Sequence, residues 1–313
     1  MRLFDLHCDT LSACYQRGES LCDNERHVDL RRGRRYSPWC QVFAAFIPDT
    51  LRGRAAFRYA CRLLAFAREQ ERRFPQQLSF VTDRIGLHST VRSGRCAGIL
   101  AVEGGAALAG RIKNLVTLKA LGARVMTLTW NGDNELAHGC LSQNREGLTE
   151  FGRQAVREMY RVGIVPDVSH LNEAGFWDVA TLSELPFIAS HSLSRAVHDH
   201  PRNLTDAQFK ELRRRNGLVG ICLCPDHLGA SDFDAVYRHL SHYLALDGQT
   251  VVVCGGDLDG TTLPEEWHGI AVFEQLANYL VQNGVSETIL DAIFFKNAFD
   301  FFSSTLQCHE NEV

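Results

Sequence analysis

The sequence has no apolar run close to the roughly 18 residues that a membrane-crossing helix needs. Its first residues enter a strand-like pattern at once, without the basic-then-apolar layout of a secretory leader. It also lacks any C-x-x-C pair, although it carries eleven cysteines. Their number is odd and they are scattered. Several (Cys96, Cys222, Cys224 and Cys254) lie within or beside apolar stretches, where a thiol packs as a small hydrophobe. A reduced, cytoplasmic protein with no membrane partner is the expectation. An excess of basic charge is missing too. Lys plus Arg is 33 against 37 Asp plus Glu, a formal charge of -4, which argues against a nucleic-acid surface. The local run RRGRRYS at 31–37 reads as a solvated loop. No Pro/Ser-rich linker, fixed-period repeat or low-complexity tract divides the chain, so residues 1–313 are read as one domain.

What is present is alternation. Apolar runs (RLFDLHC, CQVFAAFI, AGILAVEGG, RVMTLTW, GIVPDVSH, PFIASHS, GLVGICLC and TVVVCGGD) are separated by helical patterns, several of which stop at a glycine. Runs that are apolar almost throughout suit strands buried on both faces, as in parallel sheets. Eight of them with intervening helices predict an α/β fold, the closed (β/α)8 TIM barrel. The stretch LSFVT at 78–82 is a further short strand, inserted after the second barrel strand. The C-terminal helix SETILDAIFFKNAFDFFSST is expected to pack on the outside.

Chemistry gathers where the runs end. The first ends at His7 and Asp9, which as i and i+2 in a strand would look the same way. Such a pair alone is either a buried hydrogen-bonded couple or half of a metal site. The third run ends at Glu103, the fifth at His170, the sixth at His191 and the eighth at Asp257. Barrel active sites form at the carboxyl ends of the strands, so these side chains are expected to share one mouth. A buried set of carboxylates and imidazoles needs a cation to offset desolvation. The donors favour zinc, with manganese, cobalt or iron as chemical alternatives. His7, Asp9, Glu103, His170 and His191 make five ligands, more than one ion uses, so two ions sharing a carboxylate is the economical arrangement. Among the other histidines, His198 and His200 lie in a loop near the mouth, whereas His239 and His242 are expected to face solvent.

Taken together, DLHCDT, VEGG, DVSH, SHS, HPRNLTD and GGDLDG resemble the membrane (renal) dipeptidase family, metallopeptidase family M19, within the amidohydrolase superfamily. The likeness runs in the family's order from residue 7 to 260. It implies a binuclear zinc (Zn2+) site, with His7 and Asp9 on one ion, His170 and His191 on the other, and Glu103 bridging. It also implies that Arg202 receives the free carboxylate of a dipeptide substrate. Asp257 would stand by the bridging water and the substrate's amino group. The activity implied is a dipeptidase in which a hydroxide held between the ions attacks the peptide carbonyl, Asp257 carrying the proton to the leaving amine. A homodimer is the assembly the resemblance suggests. One position departs from the pattern: after TLT the family's well-studied dipeptidases carry a histidine that reaches the substrate carbonyl, and here Trp130 stands there. Asn131 or His138, from the same loop, is the candidate replacement donor. Two other readings remain open: another binuclear amidohydrolase (a deacylase or lactonase), or a metal-bearing barrel that binds without turnover. Arg202 favours substrates with a free C-terminus; Trp130 favours weak turnover.

Overall fold

Alternation along the third barrel strand shows how this fold is built. In the computed structural model, which describes residues 1–306, that strand runs Cys96–Glu103. Ala97, Ile99 and Ala101 join one buried cluster, and Cys96, Leu100 and Val102 join another. The first cluster also takes Phe4, Val42, Val125, Val165, Ile188, Leu218 and Val253, one or more from every barrel strand, and is therefore the barrel interior. The second lies between the strands and the surrounding helices. Glu103 continues the inward series 97, 99, 101, so the pleat itself delivers its carboxylate to the mouth.

In chain order the described strands are β1 (Leu3–Cys8), β2 (Trp39–Phe46), β3 (Leu78–Phe80), β4 (Cys96–Glu103), β5 (Ala123–Thr127), β6 (Val165–Asp167), β7 (Ile188–Ala189), β8 (Leu218–Ile221) and β9 (Val252–Cys254). All pairings are parallel. β1 pairs with both β2 and β9, and β2 pairs with β4, so eight strands close into the expected barrel. β3 is the inserted strand: it pairs with β4 alone. Gly98 of β4 admits it, because a Cβ there would lie 2.6 Å from the Phe80 ring.

Two expectations need correction. The C-terminal helical stretch, Glu287–Thr305, does not lie on the barrel's outer flank. Its Phe295, Ala298, Phe301 and Phe302 enter the interior cluster, and Phe302 stacks on Phe4 with ring centroids 5.3 Å apart. The helix closes the end of the barrel where β1 begins, because interior side chains there would otherwise meet water. Phe302→Leu, which keeps an apolar residue but breaks the stack, is expected to lower stability by about 1–3 kcal/mol; the shift of the urea midpoint measures it. The second correction concerns His239. It does not face solvent but is fully buried, its ring accepting from Ser194 N at 3.1 Å and reaching Leu228 O at 3.2 Å. His242 is half-buried and pairs with Asp206 at 2.8 Å.

Candidate active site

His7 and Asp9 converge, though not by the pleat of one strand. The register of β1 against β2 shifts between Asp5 and Cys8, and the strand ends at Cys8. Asp9 stands at the start of the helix Thr10–Arg17. A bulge re-aims the imidazole and the strand-to-helix turn brings the carboxylate in, leaving His7 Nε2 3.6 Å from Asp9 Oδ2. The loops after β6 and β7 supply His170 and His191, whose Nε2 atoms are 2.8 Å apart. Glu103 lies between the halves. Its Oε2 is 3.4 Å from His7 Nε2, and its Oε1 is 3.2 Å from His170 Nε2 and 3.9 Å from His191 Nε2. Asp257 Oδ1 is 3.8 Å from His7 Nε2. All six side chains are buried, and their ligand atoms form three overlapping groups: His7, Asp9 and Glu103; Glu103, His170 and His191; and His7, His191 and Asp257.

Charge in this cluster is unsatisfied by the protein alone. Burial raises the Glu103 carboxyl above its ordinary range, and the neighbouring Asp9 adds to it. Asp257 is pushed up to about 8 by burial, with Asp9 and Glu103 adding and His7 opposing. For His7, burial works against protonation, but Glu103 and Asp9 outweigh it and hold its pKa well above the usual value. His170 and His191 are held well below theirs by burial and by the Arg202 charge. His7 Nε2, Asp9 Oδ1 and Glu103 Oε2 are buried without a hydrogen-bond partner. Leaving such groups orphaned costs ~1–3 kcal/mol each. Divalent cations relieve the repulsion and the orphaned lone pairs together, and imidazole with carboxylate is their usual donor set. The residues fit metal binding.

The cluster opens into a cavity of about 740 Å³. Arg202, 4% exposed, lines it; Nη2 donates to His191 O at 3.2 Å and Nε has no partner. Trp130 forms another part of the wall, edge-on to Phe46 at 5.1 Å and 6.4 Å from the His170 ring. It therefore faces the site rather than packing away beneath a loop. Asn131 lines the cavity as well, but its Oδ1 lies 2.9 Å from His170 Nδ1, so it also orients the His170 ring. His138 turns instead to Asp133, 3.0 Å away, and does not line the cavity, which removes it as a replacement donor. Both His170 (φ 68°) and Asp257 (φ 56°) adopt left-handed backbone, a conformation that costs non-glycine residues energy and concentrates at functional sites.

His200 lies at the mouth, as its loop position suggested, and lines the cavity beside Arg202; sequence reasoning missed His227 and Asp226, which line it as well. It also missed Asp167 and Ser190, which lie behind the histidines. The signals were present in DVSH, SHS and CPDHLG, but Asp167 and Ser190 were read only as neighbours of the strand-end histidines, and CPDHLG was not weighed.

A parallel barrel with a buried His/Asp/Glu cluster at its carboxyl-end mouth is the architecture of a metal-dependent hydrolase. The model of the membrane dipeptidase family, peptidase family M19, matches residues 1–312, and the chain belongs to that family, a metallo-dipeptidase hydrolase by class. It is 28% identical over 283 residues to Dipeptidase 3 of Mus musculus, covering 87% of this chain and 57% of that one; the chain thus spans little more than half of that relative. The crystal structure of dipeptidase AC, an M19 metallopeptidase, superposes with a TM-score of 0.92 at 27% identity, covering 98% of this chain and 99% of that one. A Rhodobacter sphaeroides metallopeptidase, solved with a phosphinate mimic of L-Ala-D-Ala, superposes with a TM-score of 0.90 at 26% identity, covering 97% and 99%.

Proposed function

We propose that this chain hydrolyses dipeptides with a free C-terminal carboxylate, using two divalent cations, zinc by the chemistry of the donors. His7 and Asp9 would hold one ion, His170 and His191 the other, and Glu103 both. The observation that carries the reading is Glu103, whose two oxygens face different halves of the cluster. When bound, such ions supply Lewis acidity and draw the pKa of water toward neutrality.

The protein's own residues bind and orient. Arg202 offers an unpartnered Nε at the cavity wall, and its planar guanidinium suits a carboxylate. Asp257, on the same wall and beside His7, passes a proton to the leaving amine. Trp130 narrows the cavity and gives it an apolar face. Its single indole N–H is a poorer donor to a developing oxyanion than a mobile imidazole would be. Turnover of ordinary L,L-dipeptides is accordingly modest, and substrates of unusual shape are preferred. The Rhodobacter sphaeroides relative, with its L-Ala-D-Ala mimic, supports including D-residues among the candidates. The ten described cysteines are all free, which is in keeping with a reducing, cytoplasmic setting. Among the described residues no helix is long and apolar enough to cross a membrane.

The test is a panel of L,L- and L,D-dipeptides offered to metal-stripped protein with and without added zinc. Cleavage that depends on the ion supports the proposal; no cleavage of any dipeptide, or cleavage indifferent to chelation, overturns it. On the same panel Trp130→His is expected to raise kcat on L,L-dipeptides on the order of tenfold, short of the ~10²–10³ that a well-placed oxyanion donor is worth. Unchanged kcat and unchanged substrate ranking would remove Trp130 from the chemistry.

A further inference from the structure

We infer that Asp167 and Ser190 form a relay that holds the proton of His191 on Nδ1 and so presents Nε2 to the metal cluster as a bare lone pair. The inference rests on the two-ion reading above. Asp167 is fully buried at the end of β6 and takes no part in the cluster. Its Oδ1 accepts from the backbone N–H groups of Ser169 and Ser190, each at 3.0 Å. Its Oδ2 accepts from the hydroxyls of Thr127 at 2.7 Å and Ser190 at 2.6 Å. The Ser190 hydroxyl also lies 2.8 Å from His191 Nδ1.

A serine hydroxyl has one hydrogen. Ser190 spends it on the Asp167 carboxylate, which accepts and cannot donate. Towards His191 the same oxygen is therefore an acceptor, and Nδ1 must carry the hydrogen. A neutral imidazole protonated at Nδ1 has its lone pair at Nε2, the atom that stands 2.8 Å from His170 Nε2 and 3.9 Å from Glu103 Oε1. The protein thus makes His191 a ligand before any ion arrives. The backbone leaves little freedom to escape this arrangement. A Cβ on Gly220 or Gly255 would sit 1.8 or 1.9 Å from the Ser190 carbonyl oxygen, so β8 and the turn after β9 press directly on Ser190. Because Asp167 also binds Ser169 N, one carboxylate anchors the loops that carry both His170 and His191.

Asp167→Asn gives the sharpest test, because the two backbone N–H groups dictate how the amide sits. Its oxygen must take the place of Oδ1, which turns the NH2 toward Thr127 and Ser190. The amide then donates to Ser190, whose own hydrogen is driven toward His191 Nδ1. The imidazole is forced into the Nε2–H form, which cannot ligate. Apoprotein is titrated with Zn2+ in competition with a chromophoric chelator. Wild type should bind two ions. Asp167→Asn and Ser190→Ala should each bind one of the two about 10–100-fold more weakly, with the other unchanged. The double variant should be no weaker than Asp167→Asn alone, since both changes break one relay. Wild-type affinity for both ions in Asp167→Asn, or losses that add in the double variant, overturns the relay. Circular dichroism and thermal melting of the apoproteins report whether the variants fold. If Asp167→Asn does not, the ¹⁵N shifts of the His191 ring in wild-type apoprotein decide: the Nδ1–H tautomer upholds the relay and the Nε2–H tautomer overturns it. Failure of wild type to bind ions would sink the metal reading, while the tautomer measurement would still judge the relay by itself.

Discussion

Glu103→Gln is expected to weaken both metal ions together and, with them, nearly all hydrolysis. Its carboxylate presents one oxygen 3.4 Å from His7 and the other 3.2 Å from His170, so it faces both halves of the cluster. An amide of the same shape keeps one acceptor oxygen but replaces the other with a donor that points at a cation site. Removing one partner from a buried ionic arrangement costs about 3–5 kcal/mol, or roughly 10²–10⁴ in affinity. Elemental analysis after equilibrium dialysis should fall from about two ions per chain toward none at zinc concentrations that saturate wild type. Retention of one ion at full occupancy would show that Glu103 belongs to a single half-site. A second readout runs in the opposite direction. Because burial and Asp9 hold the Glu103 carboxyl above its ordinary range, its ionised form opposes folding of the metal-free protein. The Gln variant should therefore be at least as stable as wild type without metal, and gain far less from added zinc.

The second large effect concerns the substrate's free end. A dipeptide amidated at its C-terminus is expected to lose about 2–5 kcal/mol in kcat/KM relative to the free acid, as when one member of a buried charge pair is truncated. Arg202 is the reason: it is 4% exposed, its Nη2 is committed to the His191 carbonyl, and its Nε has no partner in the protein. A buried guanidinium left short of acceptors is costly, and a carboxylate seated against it recovers that cost. Arg202→Lys should fail to restore the effect, because an ammonium lacks the planar fork and would give up the contact to His191 O. Kinetics on paired acid and amide substrates measure the difference. Equal kcat/KM for the two would exclude Arg202 as the carboxylate anchor and return the deacylase and lactonase readings to consideration.

Candidate metal ligands and barrel were legible in the residues for a common reason. A parallel strand buried on both faces needs an apolar run, and the barrel puts its chemistry where such runs end. His7, Glu103, His170, His191 and Asp257 each stand at or just beyond one of those ends. Run and terminus are local in sequence, so no knowledge of packing was required. The same locality misled at Asp9, whose convergence with His7 comes from a register shift and a helix start rather than from the pleat.

What only the tertiary structure decided depends on groups distant in sequence. His239 lies on an amphipathic helix, and nothing within that helix says that Ser194 and Leu228 will close over it. The aromatic C-terminal helix is equally suited to a flank or a lid; the apolar floor at Phe4 selects the lid. Trp130 faces the cavity because Phe46, 84 residues earlier, supports its edge. Asp167 reads as an ordinary strand residue until β5 and β7 bring Thr127 and Ser190 to its two oxygens. Strand periodicity and the placement of reactive side chains at strand ends are properties of short segments, so the sequence by itself determined the barrel and its candidate ligands. Burial, orientation and the site of a proton on a ring depend on neighbours that meet only when the barrel closes, and those the fold decided.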